Sequence, residues 1–201
     1  MKIVRTMLVV VSCLSLVLLA SGQDKKQPSP EEVQKMMEIY QKVATPGAHH
    51  AIFKQMEGDW NYHMKMWMDP KQPPMESEGT AKSQTLFDGR YLRSDNSGTF
   101  MGQPFNGLEL LGYDNFRGEY NMTWVDNLGT GTTIARGQPD STGKVITLTG
   151  KMDEPTTGEK DKNVKYVYRF TDPDHYTFEG YDLVGTPNEF KVMEIANTRK
   201  K

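Results

Sequence analysis

The sequence predicts an all-β domain, an antiparallel up-and-down barrel of about ten strands that follows an N-terminal helical segment. From Gly58 onward, strand-like segments recur about every ten to fifteen residues, separated by Gly, Pro, Asn and Asp. No amphipathic helical pattern interrupts them, which argues against parallel βαβ units. A meander of this kind closes most naturally as a barrel, because closure removes the exposed strand edges.

The composition fits such a domain and excludes some functions. The chain has 201 residues, a formal net charge of −2 at pH 7 and a sequence pI near 6.1. This balance argues against nucleic-acid binding, which usually shows as a basic stripe. Eighteen glycines and eleven prolines suit many short strands joined by tight turns.

Residues 1–22 have the pattern of a signal peptide. Lys2 and Arg5 form a short basic region, residues 7–19 are apolar, and residues 20–22 offer small side chains at a cleavage site. The apolar run is shorter than a typical membrane-spanning helix, so an uncleaved anchor is the less favoured alternative. We expect cleavage after Gly22 and export of the mature chain to the periplasm, or its secretion.

Cleavage would change the charge and the cysteine content of the chain. Without Lys2 and Arg5, 22 basic residues face 26 acidic ones, a net charge near −4. Cys13, the only cysteine, lies in the apolar run and would be removed. The mature domain would then have no disulfide and would depend on its core for stability.

A polar linker over residues 23–29 is followed by a predicted helix, Pro30–Ala44. Ser29 and Glu32 make the Ser-x-x-Glu pattern of a capping box. Thr45-Pro46-Gly47 ends the helix. Apolar residues at helical spacing form one stripe, which consists of Val33, Met36, Met37, Tyr40 and Val43.

A short second helical turn is predicted over Ala48–Met56. Residues 30–56 would thus form a helical cap, and residues 57–199 the barrel domain. An apolar helix stripe usually docks on its own domain, although binding of a partner protein is an alternative use.

Ten segments are predicted as strands from their alternation and the turn formers that bound them. They are Trp60–Met68, Glu76–Phe87, Tyr91–Phe100, Phe105–Tyr113, Glu119–Asp126, Thr130–Arg136, Val145–Met152, Asn163–Phe170, His175–Leu183 and Glu189–Asn197. Glu109–Asp126 reads as a central hairpin around the polar turn Asp114–Gly118.

The alternation predicts an inward face rich in Met, Tyr and Trp. Trp60, Tyr62 and Met64 share one side of the first strand, opposite Asn61 and His63. Such side chains are soft or polar-tipped, so they can line a cavity as well as fill a core. A barrel of about ten strands has more interior than side chains readily fill, which favours an internal cavity.

Gly58-Asp59-Trp60, at the start of the first strand, resembles the Gly-x-Trp motif of the calycin superfamily, the lipocalins and fatty-acid-binding proteins. That resemblance implies that Trp60 packs at the closed end of the barrel. Over residues 53–201 the chain is also similar to a bacterial family of exported proteins, domain of unknown function 1579. The matching residues are Gly58-Asp59-Trp60, Gly107, Gly112-Tyr113-Asp114, Trp124-Val125-Asp126, Gly137, Gly150, Met193-Glu194-Ile195 and Arg199-Lys200. This family has no established activity, so the resemblance supports the fold.

Eight residues are the candidates for lining a ligand-binding cavity: six because of their type and their place on the predicted inward faces, and Glu109 and Glu194 as acids that would reach a ligand if they point inward. The eight are Trp60, Met64, Glu109, Tyr113, Trp124, Tyr166, Tyr168 and Glu194.

Histidines and cysteines offer little for a metal or cofactor. His49 and His50 are adjacent and cannot share one face, so we expect them in a solvated junction rather than in a metal site. Some ten-stranded barrels resemble haem-binding nitrobindins, but a haem needs an inward axial histidine. His175 falls at a strand start and His63 on the expected outer face. No metal and no cofactor is predicted.

Among the glutamates of the predicted strands, three are candidates for an inward position: Glu109, Glu179 and Glu194. Because charged groups are rarely buried, the default expectation is that each faces outward. An inward acid would need a partner such as Arg93, Arg136 or Arg169. Two inward acids could orient a polar head group of a ligand or act as an acid/base pair.

The sequence therefore favours non-catalytic binding of a small, partly apolar ligand in the barrel. One alternative is a structural or interaction protein of the cell envelope that carries no ligand. Another is an enzyme that uses inward carboxylates, although no nucleophile motif supports catalysis.

Overall fold

The computed structural model describes residues 27–201. The signal peptide predicted over residues 1–22, and residues 23–26 of the predicted linker, lie outside the described residues. The described residues fall into two compact units that divide between Tyr40 and Gln41. Within the described part, none of the helices has the length and apolar character needed to cross a bilayer.

The first helix, α1, spans Pro30–Ala44, which confirms the predicted bounds. The capping box is also confirmed: the Ser29 amide donates to Glu32 Oε2 at 2.6 Å, and the Glu32 amide donates to Ser29 Oγ at 3.3 Å. These two bonds satisfy amide groups that have no partner within the helix. A 3₁₀ helix, Ala48–His50, and helix α2, Ala51–Met56, precede the first strand.

Ten antiparallel strands form a closed barrel, as predicted. They are β1 Gly58–Met66, β2 Met75–Leu86, β3 Tyr91–Phe100, β4 Gln103–Asp114, β5 Glu119–Asp126, β6 Thr133–Pro139, β7 Val145–Glu154, β8 Glu159–Asp172, β9 His175–Asp182 and β10 Phe190–Arg199. Each strand pairs with the next in sequence, and β10 returns to pair with β1, with Trp60 opposite Arg199. Closure leaves no strand edge unpaired.

The two ends of the barrel differ. The end that we call closed carries α2 and the turns at residues 87–90, 115–118, 140–144 and 173–174. The end that we call open carries the connections at residues 67–74, 101–102, 127–132, 155–158 and 183–189.

The packed core occupies the closed half of the barrel. Its largest fully buried side chains are Phe53, Met56, Trp60, Leu92, Leu111, Met122, Ile146, Leu148 and Tyr168. Each such side chain contributes roughly 1.5–3 kcal/mol through its transfer from water. Phe53 and Met56 come from α2, so this helix plugs the closed end.

Trp60 and Arg199 tie α2 to the closed end. Trp60 Nε1 donates to the Met56 carbonyl at 2.8 Å, and the Arg199 guanidinium lies 4.2 Å from the centre of the Trp60 ring. Arg199 also donates to the carbonyls of Gln55 and Glu57. The placement of Trp60 at the closed end agrees with the resemblance to calycins.

Candidate functional site

A cavity of about 320 Å³ lies between the packed core and the open end. Its wall is dominated by aromatic rings and methionine thioethers. The aromatic and methionine members are Tyr62, Phe100, Phe105, Trp124, Tyr166, Tyr168, Tyr176, Phe178, Met64, Met66, Met122, Met152 and Met193. The remaining members are Ser94, Asn96, Glu109, Asp126, Leu128, Thr133, Ile195 and Asn197.

Inward glycines on β2, β3 and β4 explain why large rings leave this half of the barrel open. A Cβ at Gly79 would lie 2.2 Å from the Tyr62 ring, and a Cβ at Gly107 would lie 2.3 Å from the Trp124 ring. Gly98 likewise approaches the Tyr62 hydroxyl. Because the rings occupy the space of missing side chains, they lie against the wall instead of crossing the centre.

Glu109 is the buried acid of this cavity. It lies on β4 and is 8% exposed. The Tyr168 hydroxyl donates to Glu109 Oε2 at 2.6 Å. Burial raises the pKa of Glu109 to about 7, although the hydrogen bond from Tyr168 opposes the rise. Glu109 therefore exchanges its proton near neutral pH.

The expectation that Glu109 faces outward is wrong, and so is the expectation that an inward acid is paired with an arginine. Arg93 binds Asp95 at 2.8 Å, Arg136 binds Glu119 at 3.2 Å, and Arg169 binds a different glutamate. These three arginines alternate with inward residues on their strands and therefore project outward. A tyrosine hydroxyl takes the place of the expected cation at Glu109.

Glu179 and Glu194 lie on the outer face of the barrel wall. Tyr176 and Phe178 line the cavity, so Glu179, the next residue on β9, points away from it. Glu179 Oε2 accepts from Arg169 Nε at 3.0 Å and from the Tyr181 hydroxyl at 2.9 Å. Glu194 forms an ion pair with Lys191. Neither Glu179 nor Glu194 can therefore serve as a second inward acid beside Glu109, as the sequence-based alternative required.

Asp126, near the open end, has its hydrogen bonds supplied by its neighbours. Trp124 Nε1 donates to Asp126 Oδ2 at 2.7 Å, and the Leu128 amide donates to Oδ1 at 2.9 Å. These bonds fix the Trp124 ring against β4. Asp126 therefore acts in positioning a ring of the cavity wall.

Five of the eight candidate residues come together around the cavity. They are Met64, Glu109, Trp124, Tyr166 and Tyr168. Their common signal was the alternation of side chains along β1, β4, β5 and β8, which places them on inward faces.

The other three candidates lie elsewhere. Trp60 belongs to the core at the closed end, below the cavity. Tyr113 is on the inward face of β4 but at the closed end, where its ring stacks on His49 at 4.3 Å. Glu194 is on the outer face, as described above.

The prediction that His49 and His50 occupy a solvated junction is wrong for His50. His50 is 7% exposed, and its Nδ1 accepts from the Gly47 amide at 3.1 Å. Burial lowers the pKa of His50. The 3₁₀ helix packs on the β4–β5 hairpin, where the Tyr120 hydroxyl donates to the His49 carbonyl at 2.8 Å.

Sequence reasoning missed several wall residues. Tyr62 lies on the predicted inward face but is not among the eight candidates, and neither are Phe178, Met193 and Asn197. Alternation alone could have identified Tyr62 and Phe178, because they flank Met64 and Tyr176 on the same faces.

The described residues offer no ready metal or haem site. Among residues 27–201, no group of three or more His, Cys, Asp or Glu side chains is arranged to hold a metal ion. The wall residues include no histidine, so they do not fit histidine ligation of a haem.

The closed ten-stranded antiparallel barrel with an internal cavity defines this protein as a calycin-like barrel protein. Within that class, the chain belongs to the family described as protein of unknown function DUF1579, whose model matches residues 45–199. A comparison with curated protein sequences finds no significant match.

One solved structure supports the fold. The chain is similar to the crystal structure of Rv2717c from M. tuberculosis, with 17% identity and a TM-score of 0.56, covering 78% of this chain and 100% of that one. A structure titled a redesigned beta barrel matches with 13% identity and a TM-score of 0.40, covering 74% of this chain and 95% of that one.

Proposed function

We propose that this protein is an exported binding protein that holds a small, partly apolar molecule in its barrel without chemical conversion. The observation that carries the proposal is the cavity of about 320 Å³ lined by aromatic and methionine side chains. Ligand pockets in proteins usually measure about 300–1,000 Å³ and combine an apolar wall with a few polar groups. A cavity at the lower end of that range suits a small molecule.

The division of the barrel into two halves supports this use. The closed half is filled by interlocking side chains, as a domain core requires. In the open half, glycines receive the rings of Tyr62 and Trp124 and leave the centre free. A fold selected for stability alone would gain by filling that space, since each unfilled volume costs contacts.

Export is the second part of the proposal and rests on residues 1–22. Their basic, apolar and small-residue regions follow each other in the order of a signal peptide. The domain has no cysteine after Gly22, so its fold is independent of the redox state of the compartment.

Binding is tested with a neutral, apolar fluorescent probe, N-phenyl-1-naphthylamine, on wild-type protein and two tryptophan variants. Met64→Trp places a large ring in the cavity and is expected to weaken probe binding by about tenfold or more. Met68→Trp makes the same change at a side chain that is 72% exposed and outside the cavity wall, and it should leave binding unchanged. Equal binding to both variants would contradict the proposal.

Native mass spectrometry of protein purified from its bacterial host supplies a test without a chosen probe. We expect a chain that begins at Gln23 and carries a small molecule that denaturing conditions release. A chain that retains residues 1–22 contradicts the export part. A chain without bound mass, together with failure of the probe to bind, contradicts the binding part.

A further inference from the structure

The charges of the cavity wall restrict the chemistry of a ligand. The ionisable acids of the wall are Glu109 and Asp126, and no Lys, Arg or His of the described residues is among the wall residues. An anionic ligand, such as a carboxylate or a phosphate, would lose its hydration without gaining a cation. The wall therefore disfavours anions and favours cations.

Glu109 has an oxygen available for a ligand. Its Oε2 accepts the hydrogen bond from Tyr168, and no group of residues 27–201 donates to its Oε1. Among the described residues, Ser77 Oγ is the enclosed side-chain atom that lacks a partner, so Oε1 is not enclosed but faces the cavity, where a carboxylate oxygen can accept a further hydrogen bond. A donor from a ligand in the cavity would complete the set that the protein leaves incomplete.

The rings around Glu109 suit a cation with an apolar body. Trp124 lies directly opposite Glu109 in the β4–β5 register, and its ring is held by Asp126. Tyr166 and Phe178 stack on each other at 5.4 Å in the same wall. Aromatic faces attract ammonium groups, and methionine thioethers adapt to irregular hydrocarbon shapes.

We propose that the ligand is an apolar amine whose ammonium group donates to Glu109 Oε1 and whose aromatic or alkyl body contacts Trp124 and the methionines of the wall. This inference rests on the proposed function, because it names the ligand class of the same cavity. A cavity of about 320 Å³ has room for a body of roughly two fused rings.

The site links amine binding to a proton at Glu109. Burial raises the pKa of Glu109 to about 7, and a bound ammonium ion would favour the ionised carboxylate. The other titratable groups of the cavity wall are Tyr62, Tyr166, Tyr168, Tyr176 and Asp126. Burial raises the pKa values of all four tyrosines, so they stay neutral near pH 7.

The experiment compares three ligands of the same shape by isothermal titration calorimetry at pH 8. They are 2-naphthylmethylamine, 2-naphthylmethanol and 2-naphthoic acid, which are cationic, neutral and anionic. We expect the wild-type protein to bind the amine about tenfold or more tightly than the alcohol, and the acid more weakly still. Glu109→Gln should abolish the preference for the amine.

Glu179→Gln is the matched control, because Glu179 is also 8% exposed but faces outward. This variant should keep the preference for the amine. A second readout needs no variant: amine affinity should rise about tenfold from pH 6 to pH 8 as Glu109 ionises, whereas alcohol affinity should not rise.

The outcomes separate this inference from the proposed function. If amine and alcohol bind equally, or if the acid binds best, and Met64→Trp weakens them all, the ligand class is wrong while cavity binding stands. A flat pH profile for the amine likewise overturns the role of Glu109. If neither these ligands nor the neutral probe binds the wild-type protein, both proposals fail.

Discussion

Two buried glutamates on opposite faces of the barrel wall have opposite surroundings. Glu109 and Glu179 are each 8% exposed. Glu109 faces the cavity, where Tyr168 is its hydrogen-bond donor among the described residues. Glu179 faces outward and accepts hydrogen bonds from Arg169 and Tyr181, and Lys191 Nζ lies 3.5 Å from its Oε1.

The pKa values of the two acids separate accordingly. Burial raises the pKa of Glu109 to about 7, and the neutral Tyr168 hydroxyl, its donor among residues 27–201, opposes this rise only in part. Burial also acts to raise the pKa of Glu179, but the hydrogen bonds from Tyr181 and Arg169, and the charges of Arg169 and Lys191, outweigh it and lower the pKa. The difference shows that partners, rather than exposure, decide the protonation state of a buried acid.

The comparison also separates a structural role from a functional one. Glu179 contributes to stability through its ionised form, as expected of an ion-pair network. Glu109 lowers stability at neutral and higher pH, because its carboxylate is desolvated without a cation. A residue that is unfavourable for the fold in this way is typical of a functional site.

The largest expected effect is the pH dependence of stability at Glu109. Its folded-state pKa of about 7 lies above the ordinary value of 4.5, so its contribution to stability is present at low pH and is lost as pH rises through 7. This loss amounts to about 3 kcal/mol between pH 4.5 and pH 8. Glu109→Gln should therefore gain stability relative to the wild type by about that amount across this range.

Chemical denaturation of both proteins at pH 4.5, 6 and 8 measures this difference. Titration of the other groups cancels when the variant is subtracted from the wild type at each pH. A difference in the free energy of unfolding that stays constant with pH would mean that Glu109 keeps an ordinary pKa.

Glu179→Gln should act with the opposite sign. At pH 7 the variant loses charge-assisted hydrogen bonds to partly exposed partners, at a cost of about 1–2 kcal/mol. Because the folded-state pKa of Glu179 is lowered, its stabilisation is present above the unfolded pKa and disappears as pH falls through the folded value. The stability cost of Glu179→Gln should therefore shrink toward pH 3. The same denaturation series, extended to pH 3, measures this change, and a cost that grows toward low pH would contradict it.

The fold could be predicted from the sequence because its signals are local. Turn formers and alternation located all ten strands, and the Ser29–Glu32 capping box located the start of α1. These signals depend on neighbouring residues, so no long-range information is needed. The order of strands then follows from short connections between them.

The orientation of the acids could not be predicted in the same way. Glu194 has apolar neighbours on both sides, and the register of β10 shifts between Lys191 and Met193. A bulge of this kind exchanges the inward and outward faces of a strand, and the sequence carries no mark of it. Glu109 lies in regular alternation, which alone predicts an inward side chain. The general rule that charged groups are rarely buried argues against that prediction.

The position of a residue along the barrel axis could not be predicted from the sequence either. Tyr113 and Glu109 share the inward face of β4, yet only Glu109 lies at the height of the cavity. Val43 and Thr45 lie at the closed end, where the Asn115 side chain donates to their carbonyls. These contacts join residues about seventy positions apart and have no local pattern.

The smallest expected effect comes from removing one tyrosine hydroxyl on each face of the wall. Tyr168→Phe deprives Glu109 of its donor and should cost about 1 kcal/mol at pH 6, where the acid is mainly protonated. Tyr181→Phe leaves Glu179 with Arg169 and Lys191, and it should cost roughly 0.5 kcal/mol.

Carboxyl ¹³C chemical shifts, followed by NMR as a function of pH, report the two acids directly in these variants. The hydrogen bond from Tyr168 lowers the pKa of Glu109, so Tyr168→Phe should raise it further above 7. In Tyr181→Phe the pKa of Glu179 should rise less, because two cations remain beside it. Equal pKa shifts in the two variants would contradict this expectation. They would show that Glu109 depends on Tyr168 no more than Glu179 depends on one hydrogen bond of its network.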